Sequence, residues 1–288
     1  MEGTYMKSYS PWITHLYNFA RHKLAMGSLI LLLLITICCL CAPLLTSYDP
    51  IAINLDAINK APSSEHWLGT DKGGRDIIAR LLYGGTVTLE IAFSITLLIS
   101  ILGTLVGTIA GYYGGKIDNL LMRLTDFVLI FPLLIFVIVL KTIFKEASIL
   151  VLVVSISILS WGVCARLVRG KVLAEKVNEY ITAAISIGCP PYKVILKHLL
   201  PNIMSTIVVQ AILIAASMIT VETSLSFLGF GVPANVPSWG NMISDAIRPQ
   251  VLSHQWWIWL PAGILITLTI VAINFIGEGV KRAFNPQQ

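Results

Sequence analysis

The polar stretch EYITAAISIGCPPYKVILKHLLPN, residues 179–202, interrupts a chain of 288 residues that is 56% hydrophobic. It gathers a carboxylate, two phenols, an imidazole and two lysines within a few turns. Elsewhere, groups able to do chemistry are sparse. Glu90 sits in the apolar run TVTLEIAF, where a carboxylate either snorkels, lines a water-filled vestibule or meets a cationic substrate. Asp126 and Arg123 face Arg166 and Arg169 from separate segments, as ion pairs that hold a bundle or as a gate that breaks and reforms. GTDKGGRD (69–76) could suggest phosphate or cation binding, but it is no P-loop; a capped turn leading into an interfacial helix over Asp76–Tyr83 fits it better. The chain has no G-x-x-x-x-G-K-[ST], so it cannot hold ATP in the P-loop manner. It also lacks H-E-x-x-H and G-x-S-x-G, which removes the common intramembrane hydrolases. Its five cysteines, Cys38, Cys39, Cys41, Cys164 and Cys189, lack metal-ligand spacing and read as small apolar residues.

The elements that carry these groups follow from composition. Only 12% of residues are charged, against about 25% in soluble domains, and mean hydropathy is +0.81. The apolar residues come in blocks long enough to cross about 30 Å of hydrocarbon as helix. The expected fold is all-α and polytopic, with six spans near Leu24–Leu45, Val87–Ala110, Leu120–Leu140, Ile149–Cys164, Ile203–Val221 and Ile258–Ile276. The first block is too long for a signal-peptide core and reads as a retained span. Pro132 should kink the third span, and Gly103 with Gly107 forms a G-x-x-x-G packing face on the second.

Basic residues orient the bundle. With the N-terminus in the cytoplasm, only Lys60, Lys72, Arg75, Arg80, Lys141, Lys145 and Arg248 of the 20 Lys and Arg fall outside. Lys7 and the rest lie inside, so both termini and residues 179–202 are cytoplasmic. The long loops at 46–86 and 222–257 face outward, and Trp256, Trp257 and Trp259 mark the outer interface.

Within the polar stretch, Glu179 suits a helix N-terminus, and Gly188 suits a helix C-terminus. Pro190 and Pro191 seed a second helix, Tyr192–Leu200, which Pro201 ends. Val194, Ile195 and His198 or Leu199 share one face, while Lys193 and Lys197 share another. Ala183, Ala184 and Gly188 leave a surface of small residues that another protein can approach closely. A folded excursion of this size between two spans reads as a docking piece.

The residues Glu179, Tyr180, Ala183, Ala184, Gly188, Ile195, His198, Leu200, Pro201 and Asn202 resemble the EAA motif of permease subunits from ABC importers. Cys189-Pro190 departs from the pattern, where a small or hydroxylated residue is usual, and leaves the start of the second helix open. HWLGTDKGGRDIIARLLYGG, AGYYGGKIDNLLMRLTDFVLIFP, ARLVRGKVL, ETSLSFLGFGVPANVPSWGNM and NFIGEGVKRAFNP extend the likeness to the C-type permeases of dipeptide, oligopeptide and nickel importers.

The resemblance implies a type I importer permease fold with a cytoplasmic coupling helix in 179–202. It divides the chain into a cytoplasmic segment (1–23), a first span with its extracytoplasmic loop (24–84), a permease core (85–281) and a cytoplasmic tail (282–288). It implies a bacterial or archaeal plasma membrane, a second B-type permease, two ATP-binding subunits and an extracytoplasmic solute-binding protein. ATP and magnesium would sit on the partners, with no cofactor and no catalysis on this chain. The expected cargo is a di- or oligopeptide, with nickel or a metallophore complex as the alternative. A secondary transporter is the rival class, but the chain shows no repeated halves and few mid-span charges. Glu90, Arg123, Asp126 and Arg166 are the expected pathway or gate residues.

Overall fold

A computed structural model describes residues 17–144 and 148–284. Lys7, Lys145 and the chain ends used in the orientation argument lie outside the described residues. The described chain is helical, with no strand beyond one isolated bridge between Thr70 and Asp76. The long elements are α1 (Lys23–Leu40), α2 (Ile77–Tyr113), α3 (Gly115–Ile130), α4 (Leu133–Ile143) and α5 (Ile149–Lys176). A short α6 (Glu179–Ser186) precedes α7 (Pro191–Phe227), and α8 (Trp239–Ser244) and α9 (Pro249–His254) precede α10 (Trp256–Phe284). Among the described residues five helices are long and apolar enough to cross a membrane, and six if the bent pair α3–α4 counts as one span.

Three sequence expectations need correction. The interfacial helix expected at Asp76–Tyr83 is not separate. Asp76 caps Ala79 N at 2.9 Å and α2 then runs unbroken for 37 residues, about 55 Å. The third span is not merely kinked, because α3 and α4 meet at 77°. Pro132 has no N–H to continue the helix and forces Phe131 to extended backbone (φ −73°, ψ 126°). Lys141 is not in an outer loop. It lies within α4, buried, and its ammonium donates to the Gly231 carbonyl.

The bundle is built on the α2–α5 seam. A Cβ on Gly103 would come within 2.5 Å of Cys164 Cβ, one on Gly107 within 2.5 Å of Ala165 O, and one on Gly111 within 2.8 Å of Val172 Cβ. The G-x-x-x-G pair is thus packing, and it extends one more turn to Gly111. Helices approach this closely only where side chains are missing.

Loops lock the helices at the end of the bundle where α2 begins. Trp239 is fully buried against Gly85, and its indole donates to Leu81 O at 2.9 Å. Asp71 is buried and takes hydrogen bonds from Gly73 N (2.7 Å), Arg75 N (3.0 Å), Arg75 Nε (2.9 Å) and the Arg80 guanidinium. Burial alone would raise its carboxyl pKa. The two guanidiniums and two backbone donors outweigh it and hold the group below the usual carboxylate value.

Gly107→Val should overpack the seam and cost about 1–3 kcal/mol. Gly27→Ala on α1, where a Cβ meets nothing within 4 Å, should be neutral or stabilising by up to about 1 kcal/mol; thermal unfolding in detergent compares the two. Because Asp71 has a depressed folded pKa, its stabilisation is complete above about pH 4 and disappears as pH falls through the folded value. The gap in Tm between the native chain and Asp71→Asn should be constant from pH 8 to about 5 and close only in stronger acid.

Candidate functional site: the clasped loop at residues 179–202

The loop between α5 and α7 folds on its own short-range chemistry. Glu179 occupies the first turn of α6, where the helix dipole favours an acid. The helix ends in a Schellman turn. Gly188 takes φ +80°, its N–H reaches Ile185 O (3.0 Å), and Cys189 N reaches Ala184 O (3.0 Å). Nothing lies within 4 Å of a Cβ built on Gly188, so backbone angle rather than space requires glycine there.

Two expectations fail within the loop. Pro201 does not end a separate second helix, since α7 passes through it. Residues Val194–Leu199 are wound as a π-helix, with Leu200 N bonding Ile195 O. This wider winding just before Pro201 lets the helix absorb a residue that has no N–H. Ala184 is not on the outer surface either. It shares the inner face of α6 with Ile181, three residues earlier, and both are buried. The π winding places Val194 and Leu199, five apart, on the buried side, with Ile195 and His198 partly covered and Lys193 and Lys197 exposed. The exposed crown consists of Ala183, Gly188, Val177, Ile185, Ile187 (85% exposed) and Tyr192.

A hydrogen-bonded clasp closes the loop. Tyr180 Oη donates to the Glu175 carboxylate and accepts from Asn202 Nδ2 at 2.9 Å. Asn202 Nδ2 also donates to His198 O at 2.7 Å, and Asn178 Nδ2 to Glu175 Oε1 at 2.9 Å. Burial, then the adjacent Glu175 carboxylate, push the Tyr180 phenol up, so it keeps the proton the clasp uses. Lys176 Nζ donates to Tyr112 O at 2.6 Å and ties the end of α5 to α2. The loop is therefore joined to α5, α7 and α2 at one end of the bundle. The sequence reading picked out Tyr180 and Asn202 but not their contact, and it missed Glu175 and Lys176.

The other charged residues separate into distinct places. Asp126 and Arg166 meet at 2.5 Å on the exposed side of α3 and α5. Arg123 is exposed on α3 without an ion-pair partner among the described residues. Arg169 pairs instead with Asp118, two hydrogen bonds at 2.5 and 2.6 Å. Asp118 was not anticipated; acids eight apart on α3 facing arginines three apart on the antiparallel α5 are the signal for it. Glu90 stands away from this group. It lines a cavity of about 470 Å³ with Thr36, Thr96, Ala215 and Ile273, among residues of α1, α2, α7 and α10. Glu222 was also missed. It is fully buried in α7, and Oε1 accepts from Ser226 Oγ at 2.7 Å.

Residues 103–288 match the family described as binding-protein-dependent transport system inner membrane component. Residues 10–62 match the N-terminal TM domain of oligopeptide transport permease C. The oligopeptide transport system permease protein of Escherichia coli (strain K12) is 39% identical over 280 residues, 96% of this chain and 92% of that protein. Its counterpart from Bacillus subtilis (strain 168) is 36% identical over 281 residues, 98% of this chain and 91% of that protein. The dipeptide transport system permease protein of Bacillus subtilis (strain 168) is 36% identical over 268 residues, 93% of this chain and 83% of that protein.

Gly188→Val should strain the turn by about 1–2 kcal/mol, and Gly188→Asn by less, because asparagine enters the left-handed region more readily. Tyr180→Phe removes the hydroxyl at the centre of the clasp and should speed amide exchange over 179–188, read by mass spectrometry, without shifting Tm in thermal unfolding by more than about 1 °C.

Proposed function

We propose, for a chain that belongs to the family of binding-protein-dependent transport system inner membrane components, that it is one of two permeases forming the pathway of a di- or oligopeptide importer. A second, homologous permease completes the pathway. Two separate subunits bind and hydrolyse ATP, and an extracytoplasmic binding protein delivers the peptide. Both termini and residues 179–202 face the cytoplasm, in keeping with the concentration of Lys and Arg at that end. The names of the relatives speak of oligopeptides and dipeptides, which sets peptides ahead of nickel.

The observation that carries the mechanical part is the clasp. In this reading Glu179, Tyr180, Ala183, Ala184, Gly188, Ile195, His198, Leu200, Pro201 and Asn202 form the coupling loop. Its exposed apolar crown docks into a groove on an ATP-binding subunit. ATP binding draws the two ATPases together. The loop moves with its ATPase as one piece with the helices, because the contacts of Tyr180 with Glu175 and Asn202 tie it to α5 and α7. Displacement passes into α5 and α7, and through Lys176 into α2. The Asp126–Arg166 pair, with Arg123 nearby on α3, serves as an inner gate contact, and Glu90 attracts cationic cargo at the outer half. ATP and magnesium are held on the partner subunits, and this chain performs no covalent step.

Reconstitution with the second permease, the ATPases and the binding protein tests this. Ile187→Asp introduces a charge into the crown, where the side chain touches little of its own protein, so folding should be preserved. It should lower peptide uptake at least about tenfold and release the ATPases, the scale of losing one buried interface anchor. Glu179→Ala should uncouple ATP hydrolysis from uptake. ATP hydrolysis by the purified chain alone, or normal uptake and assembly in both variants, would remove the assignment.

A further inference from the structure

Hydroxyls inside these membrane helices mostly return to their own backbone. Thr36, Thr125, Ser157, Thr220, Ser224 and Thr269 each donate to the carbonyl four residues earlier, at 2.7–3.3 Å. Ser160 on α5 and Gln210 on α7 make no hydrogen bond among the described residues. Four hydroxyls of α2, those of Thr96, Ser100, Thr104 and Thr108, also lack partners, but their oxygens are enclosed by packing. These four line cavities of their own; Ser160 and Gln210, both half-buried, together line one cavity of about 280 Å³, with Cys164, Ser217 and Met218.

The cavity lies deep in the bundle. Ser160 is about 17 Å along α5 from Ile149, and Gln210 is about 25 Å along α7 from Phe227. Both are therefore far from the loop-covered ends, at the depth where hydrocarbon offers a polar group nothing. An amide left unpaired in hydrocarbon costs several kcal/mol, and the half-buried Gln210 and Ser160 side chains are open to a partner from outside this chain.

We propose that this cavity between α5 and α7 is a station for the main-chain amides of a peptide in transit, with Gln210 and Ser160 as its polar contacts. The inference rests on the peptide reading above. The glutamine amide both donates and accepts, as does the serine hydroxyl, which matches the N–H and C=O of a peptide unit. Apart from the Cys164 thiol the lining holds no ionisable group, so it selects for no charge on the cargo. Met218 supplies a flexible thioether wall that can repack against different side chains. A transmembrane helix of the second permease has its own main-chain amides already bonded, so it could offer the site only a side chain.

Uptake of trialanine and of its backbone N-methylated form by the full transporter tests the assignment. Ser160→Ala combined with Gln210→Leu should lower trialanine uptake about tenfold, the scale of one or two buried hydrogen bonds. It should also erase the preference for the unmethylated peptide, while leaving the second permease bound. Ser160→Ala alone removes one oxygen without altering the helix and gives the same comparison should the double variant fail to accumulate. Leu150→Ala, on the exposed side of α5, should behave as the parent. Unchanged uptake and an unchanged methylation preference would overturn the station. So would loss of the second permease from the purified complex, which would make the cavity a subunit contact. If the parent transporter itself moves no peptide, the failure lies with the peptide reading and takes the station with it.

Discussion

In hydrocarbon a polar group finds a partner inside the protein or goes without one, and this constraint organises the molecule from end to end. It makes every crossing segment a helix. It turns threonine and serine side chains back onto their own helices. It sends the Lys141 ammonium to a loop carbonyl, and it pairs Asp118 with Arg169 and Asp126 with Arg166 between α3 and α5. Where these arrangements are complete, the bundle is a closed piece of structure; Ser160 and Gln210 are unpaired and half-open, beside one another in a single cavity.

Packing supplies what hydrogen bonding does not. No water is released when two helices meet in lipid, so association depends on close contact. The glycines at 103, 107 and 111 give α2 and α5 that contact along about two turns. At one end, Trp239 fills the space above Gly85 and fastens the start of α8 to α2. At the opposite end, Lys176 fastens α5 to the last turn of α2. The same helix is thus held at both ends and along its length.

The helical class, the approximate spans and the special loop at 179–202 were all legible in the sequence, because each depends on local composition. Block length marks a crossing, and Gly188 marks a turn whose backbone few other residues adopt. What could not be read depended on geometry between distant residues. Pro132 announces a disturbance, but whether it bends a helix slightly or breaks it by 77° is settled by what packs on either side. Pro201 looks like a stop and is not one, because a π turn upstream accommodates it. Ala184 reads as surface by its size and is turned inward by the register it shares with Ile181. The contact between Tyr180 and Asn202, 22 residues apart, leaves no periodic trace at all.

The closed state of that contact has a consequence for energetics over repeated use. A flexible segment must be ordered each time it is gripped, at about 1–2 kcal/mol per residue fixed. Here Tyr180, Glu175 and Asn202 have already met that entropy during folding. A partner that catches and lets go of this surface many times a second then works against contact energy alone, and its hold can be weak enough to exchange yet stiff enough to push.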